Sequence, residues 1–174
     1  MGNYILVLDV GTTNIKAFLF DKNGEIFAQA RRRQNYIMDD EPGQVEQDPR
    51  EVWELSKQVL GEVIESKNLK ANDIEALGIS SYRASFLFWD KKTGKCHSNV
   101  ITWQDSRSAE YAEKMTEKFK ALRSIAKVIN ALKHSTRMLT ASMIKFDSTY
   151  PSASTGFFLE TNNEVNQMIK DPNT

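Results

Sequence analysis

Tyr4-Ile5-Leu6-Val7-Leu8 is an apolar run too short for a helix, and its interruption at Asp9-Val10-Gly11 predicts a strand buried on both faces. After Gly11-Thr12-Thr13-Asn14, the segment Ile15-Lys16-Ala17-Phe18-Leu19-Phe20 predicts a second strand. Asp21-Lys22-Asn23-Gly24 then supplies hairpin chemistry before a third, Glu25-Ile26-Phe27-Ala28-Gln29-Ala30, so three consecutive antiparallel strands are expected. Residues 38–49 have loop composition, and Asp48 followed by Pro49 predicts a helix start with the cap ahead of the proline. The helix runs to about Glu65 with Val52, Trp53, Leu55, Val59, Leu60, Val63 and Ile64 as its apolar stripe, enough for burial against a sheet. Residues 74–80 and 85–89 predict two more strands, residues 90–95 a turn, and Ile101-Thr102-Trp103 a further short strand.

From Asp105 or Ser106, Ala109, Ala112, Met115, Phe119 and Leu122 recur at spacings of three and four, which predicts a helix to about Lys120. Ile125, Ile129, Leu132 and Leu139 continue that pattern. Asn130, Thr140 and Ser142 weaken it, and Tyr150-Pro151-Ser152-Ala153-Ser154-Thr155-Gly156 breaks it before a last helix over residues 157–169. There is no internal repeat and no low-complexity tract.

At 174 residues the chain has the size of one domain or a tight pair. Its 40% hydrophobic and 26% charged residues exclude collagenous, mucin-like and wholly disordered classes. Twenty-three basic against 23 acidic residues leave no global field toward nucleic acid or an acidic membrane. Arg31-Arg32-Arg33, at a strand end, fits a solvated edge better than a nucleic-acid contact. The single cysteine, Cys96, closes no intramolecular disulfide, and with only His97 and His134 no Cys/His zinc site can be assembled. No apolar run approaches the ~18 residues of a membrane span, and the N-terminus lacks the regions of a signal peptide, so a cytoplasmic protein is expected.

The candidate chemistry starts where the first strand ends. In Asp9-Val10-Gly11-Thr12-Thr13 the backbone N–H groups and two hydroxyls can face an anion while Gly11 permits close approach, which is a phosphate cradle in outline. Asp9 is placed to hold a water of Mg²⁺, and Lys16 to reach the same phosphates. Ordinary hairpin chemistry uses the same residues, so the turn alone leaves both alternatives open.

Further motifs follow in order: Gly43-Gln44-Val45-Glu46-Gln47-Asp48-Pro49 with Trp53, Gly78-Ile79-Ser80-Ser81-Tyr82-Arg83, Trp89-Asp90-Lys91-Lys92-Thr93-Gly94-Lys95, and Trp103-Gln104-Asp105-Ser106-Arg107. Together with the loop they resemble the N-terminal domain of the FGGY carbohydrate kinases, and within that family the glycerol kinases and glycerol-kinase-like proteins. The resemblance is clear over residues 4–110 and faint over 111–171, so residues 1–174 correspond to that domain and the family's C-terminal domain is absent. It implies an α/β, actin-like (ribonuclease-H-like) ATPase domain: a mixed five-stranded sheet with helices on both faces. It also implies transfer of the γ-phosphoryl group of Mg·ATP to a hydroxyl of a sugar or polyol, by positioning and neutralisation of phosphate charge.

On that resemblance ATP and Mg²⁺ are the cofactors: Asp9 serves the metal, Gly11, Thr12 and Thr13 the phosphates, and Lys16, where glycerol kinases often carry Arg, the compensating charge. Arg83 and Trp103 match positions that grip glycerol, one donating to hydroxyls and the other walling the carbon skeleton. Tyr150 is the candidate for the family's substrate-contacting tyrosine. Ala84 stands where glycerol kinases carry a Glu that accepts from the polyol, a loss of ~1–3 kcal/mol for an unpaired hydroxyl. No general base is expected in this chain, because the family's aspartate belongs to the C-terminal domain, and the fragment alone is expected to be inactive. A homo-oligomer would form through the full-length protein. The alternative is a truncated, non-catalytic module that binds a polyol or phosphate or pairs with a partner. Asp105 and Arg107 are read as a helix cap and its ion pair, and apolar residues over 122–139 are expected to be exposed.

Overall fold

The computed structural model describes residues 3–38, 41–133, 145–149 and 151–170. The chain divides into two compact units, one of Met1–Met38 with Val45–Thr102 and the other of Asp39–Gln44 with Trp103–Thr174.

In the first unit β1 (Tyr4–Val10), β2 (Asn14–Phe20) and β3 (Ile26–Arg33) form the expected antiparallel meander. The β2–β3 turn is built on Asp21, whose carboxylate accepts from the backbone N–H of Asn23 and Glu25 at 2.8 and 2.9 Å, while Gly24 takes φ +83°. Those backbone donors hold the Asp21 carboxyl below its ordinary pKa. β5 (Ile74–Ser81) pairs parallel to β1, giving the order β3-β2-β1-β5. The sheet is mixed as expected but has four strands among the described residues rather than five. No described strand pairs with the outer edge of β5.

Asp48 caps α1 (Pro49–Glu65) by accepting from the Arg50 N–H at 2.8 Å, with Pro49 in the first turn where its missing N–H costs nothing. The helix packs on β2 and β3 and closes a core of Leu6, Leu8, Ile15, Ala17, Leu19, Ala30, Val59 and Val63. Trp53 departs from the expected stripe: it is 64% exposed and carries Lys57 over its ring.

Two short elements differ from expectation. Glu46–Gln47 forms β4 and pairs with β6 (Val100–Ile101), although composition marked residues 38–49 as loop. Residues 85–89 make only isolated bridges, Phe86 to Ile101 and Trp89 to Cys96, instead of a strand. The reason is local: Ala84 enters the left-handed region at φ +57°, and the Phe88 N–H donates to the Ser98 hydroxyl rather than to a carbonyl across a ladder.

In the second unit α2 (Ala109–Lys118) begins after Ser108, three residues later than the Asp105 signal, because Asp105 turns back onto Arg107. α3 (Lys120–Lys133) continues the helical pattern beyond Phe119. The single helix expected over 157–169 is two, α4 (Pro151–Thr161) and α5 (Asn163–Lys170), divided at Asn162, whose side chain accepts from the Val165 N–H at 3.1 Å. Pro151 opens a helix here rather than ending one. Ala112, Ala126, Ala153, Phe158 and Val165 are buried, and the Ser108 and Ser154 hydroxyls meet at 3.0 Å. Leu122, Ile125 and Val128 stand more than half exposed on α3, as expected for that stretch; residues 134–139 lie outside the described residues.

Candidate functional site: a glycine turn on a polar scaffold

The turn between β1 and β2 is held by its carbonyls. The Gly11 carbonyl accepts from Nε2 of Gln34 in a short contact, that of Thr12 from Nε2 of Gln47 at 2.8 Å, and that of Thr13 from the backbone N–H of Gln34 at 3.0 Å. Because a trans peptide directs its N–H opposite its carbonyl, inward carbonyls at Gly11 and Thr12 turn the Thr12 and Thr13 N–H groups the other way. The turn is tight: Gly11 donates to the Asn14 carbonyl at 3.0 Å, and a Cβ on Gly11 would lie 2.9 Å from that same oxygen. This is where the chain needs glycine.

Asp9 and Lys16 face each other across the β1–β2 register, with Nζ 3.8 Å from a carboxylate oxygen and both side chains more than a third exposed. Residues in register share a face, so Ser80, Asp9, Lys16 and Arg31 form one row across all four strands. Asp9 thus stands at the strand end with an open oxygen donor beside the loop. No cluster of three or more His, Cys, Asp or Glu occurs among the described residues. A single carboxylate suits Mg²⁺, which keeps several waters and draws other oxygens from phosphate, and does not suit Zn²⁺.

The scaffold beneath the loop is the part that motif inspection did not single out. Gln34 and Gln47 are 2% and 1% exposed, and Gln47 Oε1 accepts from the Tyr82 hydroxyl at 3.0 Å. Burial, with the Tyr36 phenol nearby, pushes the Tyr82 hydroxyl up to about 12. The Tyr36 hydroxyl in turn approaches that of Thr13 at 3.4 Å. Gln47 and Tyr82 lie inside motifs quoted above, yet only the absence of apolar residues at buried positions marked them. Gln34 had no motif at all.

The Tyr82 N–H donates to the Val10 carbonyl at 3.0 Å, which carries β5 past the loop and delivers Arg83 exposed. The first unit therefore carries Asp9 near the end of β1, Gly11, Thr12 and Thr13 in the turn that follows and Lys16 in β2, with Arg83 one residue beyond the scaffold residue Tyr82. Trp103 belongs to the second unit, where it is 46% exposed at the turn after Thr102. In that unit Gly43, at φ +84°, lies so close to Ser106 that a Cβ would meet its hydroxyl at 2.5 Å. Asp105 is 3% exposed and receives Arg107 through its N–H, Nε and Nη2, the last at 2.7 Å. Asp105 and Arg107 are thus an ion pair, but Asp105 does not cap α2. Tyr150 lies outside the described residues. A recess of about 780 Å³ along α1, bordered by Arg32, Lys57 and Glu62, contains none of these residues.

Residues 4–145 match the FGGY family of carbohydrate kinases, N-terminal domain. The glycerol kinase of Rhizobium meliloti (strain 1021) is 40% identical over 120 residues, which cover 68% of this chain and 24% of that protein. Glycerol kinase 5 of Danio rerio is 32% identical over 170 residues, 97% of this chain and 32% of that protein. The crystal structure of Plasmodium falciparum glycerol kinase with ADP superposes with a TM-score of 0.75 at 24% identity, covering 98% of this chain and 31% of that one; it speaks to the fold alone. The matched part of the chain spans 24% and 32% of the length of these two glycerol kinase relatives.

Proposed function

The chain belongs to the FGGY family of carbohydrate kinases, and from that premise we propose that it carries the phosphate loop and part of the acceptor site of an ATP-dependent, glycerol-kinase-like polyol kinase. The observation that carries this reading is the turn itself, whose Gly11 and Thr12 carbonyls are held by Gln34 and Gln47 between two strands that carry the facing pair Asp9 and Lys16. In the transfer, a hydroxyl oxygen of the acceptor bonds to the γ-phosphorus as the bond from phosphorus to the β–γ bridging oxygen breaks, giving a phosphate ester and ADP. The hydroxyl proton leaves to a general base. The Thr12 and Thr13 amides and Lys16 neutralise the phosphate oxygens, Arg83 donates to acceptor hydroxyls, and Trp103 walls the carbon skeleton. Asp9 would hold Mg²⁺, which when bound neutralises the developing charge on the phosphates. Tyr150 enters this scheme on family resemblance alone.

The acceptor is a polyol or sugar; nucleic acid and membrane have no part, and the setting is the cytoplasm. No described helix is long and apolar enough to cross a membrane. The exposed Leu122, Ile125 and Val128 favour a second reading, a non-catalytic module that pairs through α3. The test is ADP release by the native full chain with Mg·ATP and a panel of polyols, repeated with Asp9→Ala. Turnover lost in Asp9→Ala, with the polyol-induced thermal shift retained, supports the kinase. A polyol shift with no turnover in the wild type supports the binding module, and activity retained in Asp9→Ala makes Asp9 structural.

A further inference from the structure

The hydrogen bonds that hold the phosphate loop do not stop at it. Gln47 uses both ends of its buried amide: Nε2 donates to the Thr12 carbonyl and Oε1 accepts from the Tyr82 hydroxyl. This fixes the amide in one orientation, because a flip would set its oxygen against a carbonyl. Tyr82 is tied a second time, by its own N–H to the Val10 carbonyl. The next residue is Arg83, whose guanidinium has no side-chain partner among the described residues, and the one after is Ala84 in the left-handed region. A non-glycine residue held there stores roughly 1–3 kcal/mol, so the backbone around Arg83 is set by its surroundings and not by its own preference. Because the Tyr82 hydroxyl titrates near 12, it remains a neutral donor at any physiological pH.

We propose that Gln47 and Tyr82 are positioning residues that couple the phosphate loop to Arg83, so that filling the acceptor site tightens the nucleotide site and the reverse. The proposal rests on the kinase reading above. A hydroxyl gripped by Arg83 bears on the backbone of Tyr82, and the Tyr82 hydroxyl bears on Gln47. Gln47 sets the Thr12 carbonyl, and the same peptide carries the Thr13 N–H on its far side. Such coupling is reciprocal by thermodynamic necessity.

The test is calorimetric titration of the native full chain with Mg·ADP, with and without saturating glycerol, for the wild type, Tyr82→Phe and Gln47→Met. Glycerol is expected to tighten ADP about fivefold or more in the wild type. Tyr82→Phe, which removes one oxygen, is expected to bind both ligands with an ADP affinity indifferent to glycerol. A purely structural bridge would lower the melting temperature and leave that ratio intact. Coupling retained in Tyr82→Phe overturns the proposal, as does a wild type that binds both ligands independently. A wild type that binds neither overturns the kinase reading and the coupling with it. Hydrogen exchange over residues 9–16 then reads the scaffold alone: faster exchange in Tyr82→Phe upholds the bridge as a support of the loop, and unchanged exchange removes that as well. Should Gln47→Met fail to fold, Tyr82→Phe decides by itself.

Discussion

Gln34 and Gln47 invite one substitution with two outcomes. Each is buried, each donates Nε2 to a carbonyl of the loop, and methionine replaces glutamine with nearly the same shape. Gln47→Met removes two hydrogen bonds, one to the Thr12 carbonyl and one from the Tyr82 hydroxyl. Gln34→Met removes one, to the Gly11 carbonyl, and with it an oxygen, Gln34 Oε1, that is buried with no hydrogen-bond partner among the described residues. A stranded buried polar group costs about 1–3 kcal/mol. The relief of the shed amide is common to both variants and cancels in the comparison. The difference is then one further lost hydrogen bond plus one unsatisfied acceptor already present in the wild type. Since Tyr82 is only partly buried, its share is discounted, and Gln47→Met should be less stable than Gln34→Met by about 2–4 kcal/mol. Urea denaturation followed through Trp53 and Trp89, both in the first unit, measures this as a gap in midpoint at unchanged slope. Equal losses, or a larger loss in Gln34→Met, would refute the bookkeeping of satisfied and orphaned atoms beneath the loop.

Gly11→Ala sets a methyl 2.9 Å from the Asn14 carbonyl, so the turn must open; ADP affinity should fall at least tenfold by calorimetry, with the fold retained by circular dichroism. Tyr82 has its hydroxyl raised from 10.0 to about 12, so the neutral form is favoured on folding. That contribution is complete below about pH 10 and is lost as pH rises toward 12; denaturation across that range should show a decline in the wild type that is shallower in Tyr82→Phe. Arg107→Ala removes the guanidinium from a carboxylate that is 3% exposed, and should lower stability by about 3–5 kcal/mol in urea denaturation.

The meander and α1 were legible because each rule pointed the same way. The short apolar runs, the Asp21 turn, and Asp48 before Pro49 agree locally, and Leu6, Leu8, Val59 and Val63 reach the core they predict, whereas Ile5 of the strand expected to be buried on both faces and Trp53 of the stripe stay exposed. What escaped were elements whose cause is tertiary. Glu46 and Gln47 carry no strand pattern, and they become a strand because Val100 and Ile101 offer a partner distant in sequence. Residues 85–89 carry a strand pattern and fail to form one, because Ala84 and Ser98 divert their backbone. In the site, the glycine and hydroxyls of the loop were visible as chemistry, whereas Gln34, Gln47 and Tyr82 were not. Their role lies in the direction of single hydrogen bonds, which a spacing rule does not encode. The placement of α2 turned on one such bond, from the Arg107 N–H to Asp105.

The two borders of the sheet are unalike among the described residues, and the difference bears on edge-to-edge pairing. At one border β3 ends in Arg31, Arg32 and Arg33, a stretch whose charge repels another strand. At the other, β5 carries a single charge, Glu75, and leaves Leu77 and Ile79 51% and 67% exposed. A strip that can be extended from both sides grows into fibres, but one that can be extended from a single side cannot. Were two copies to pair edge to edge, the three arginines would disfavour the β3 border, which leaves β5 as the border that a second strand could extend among the described residues.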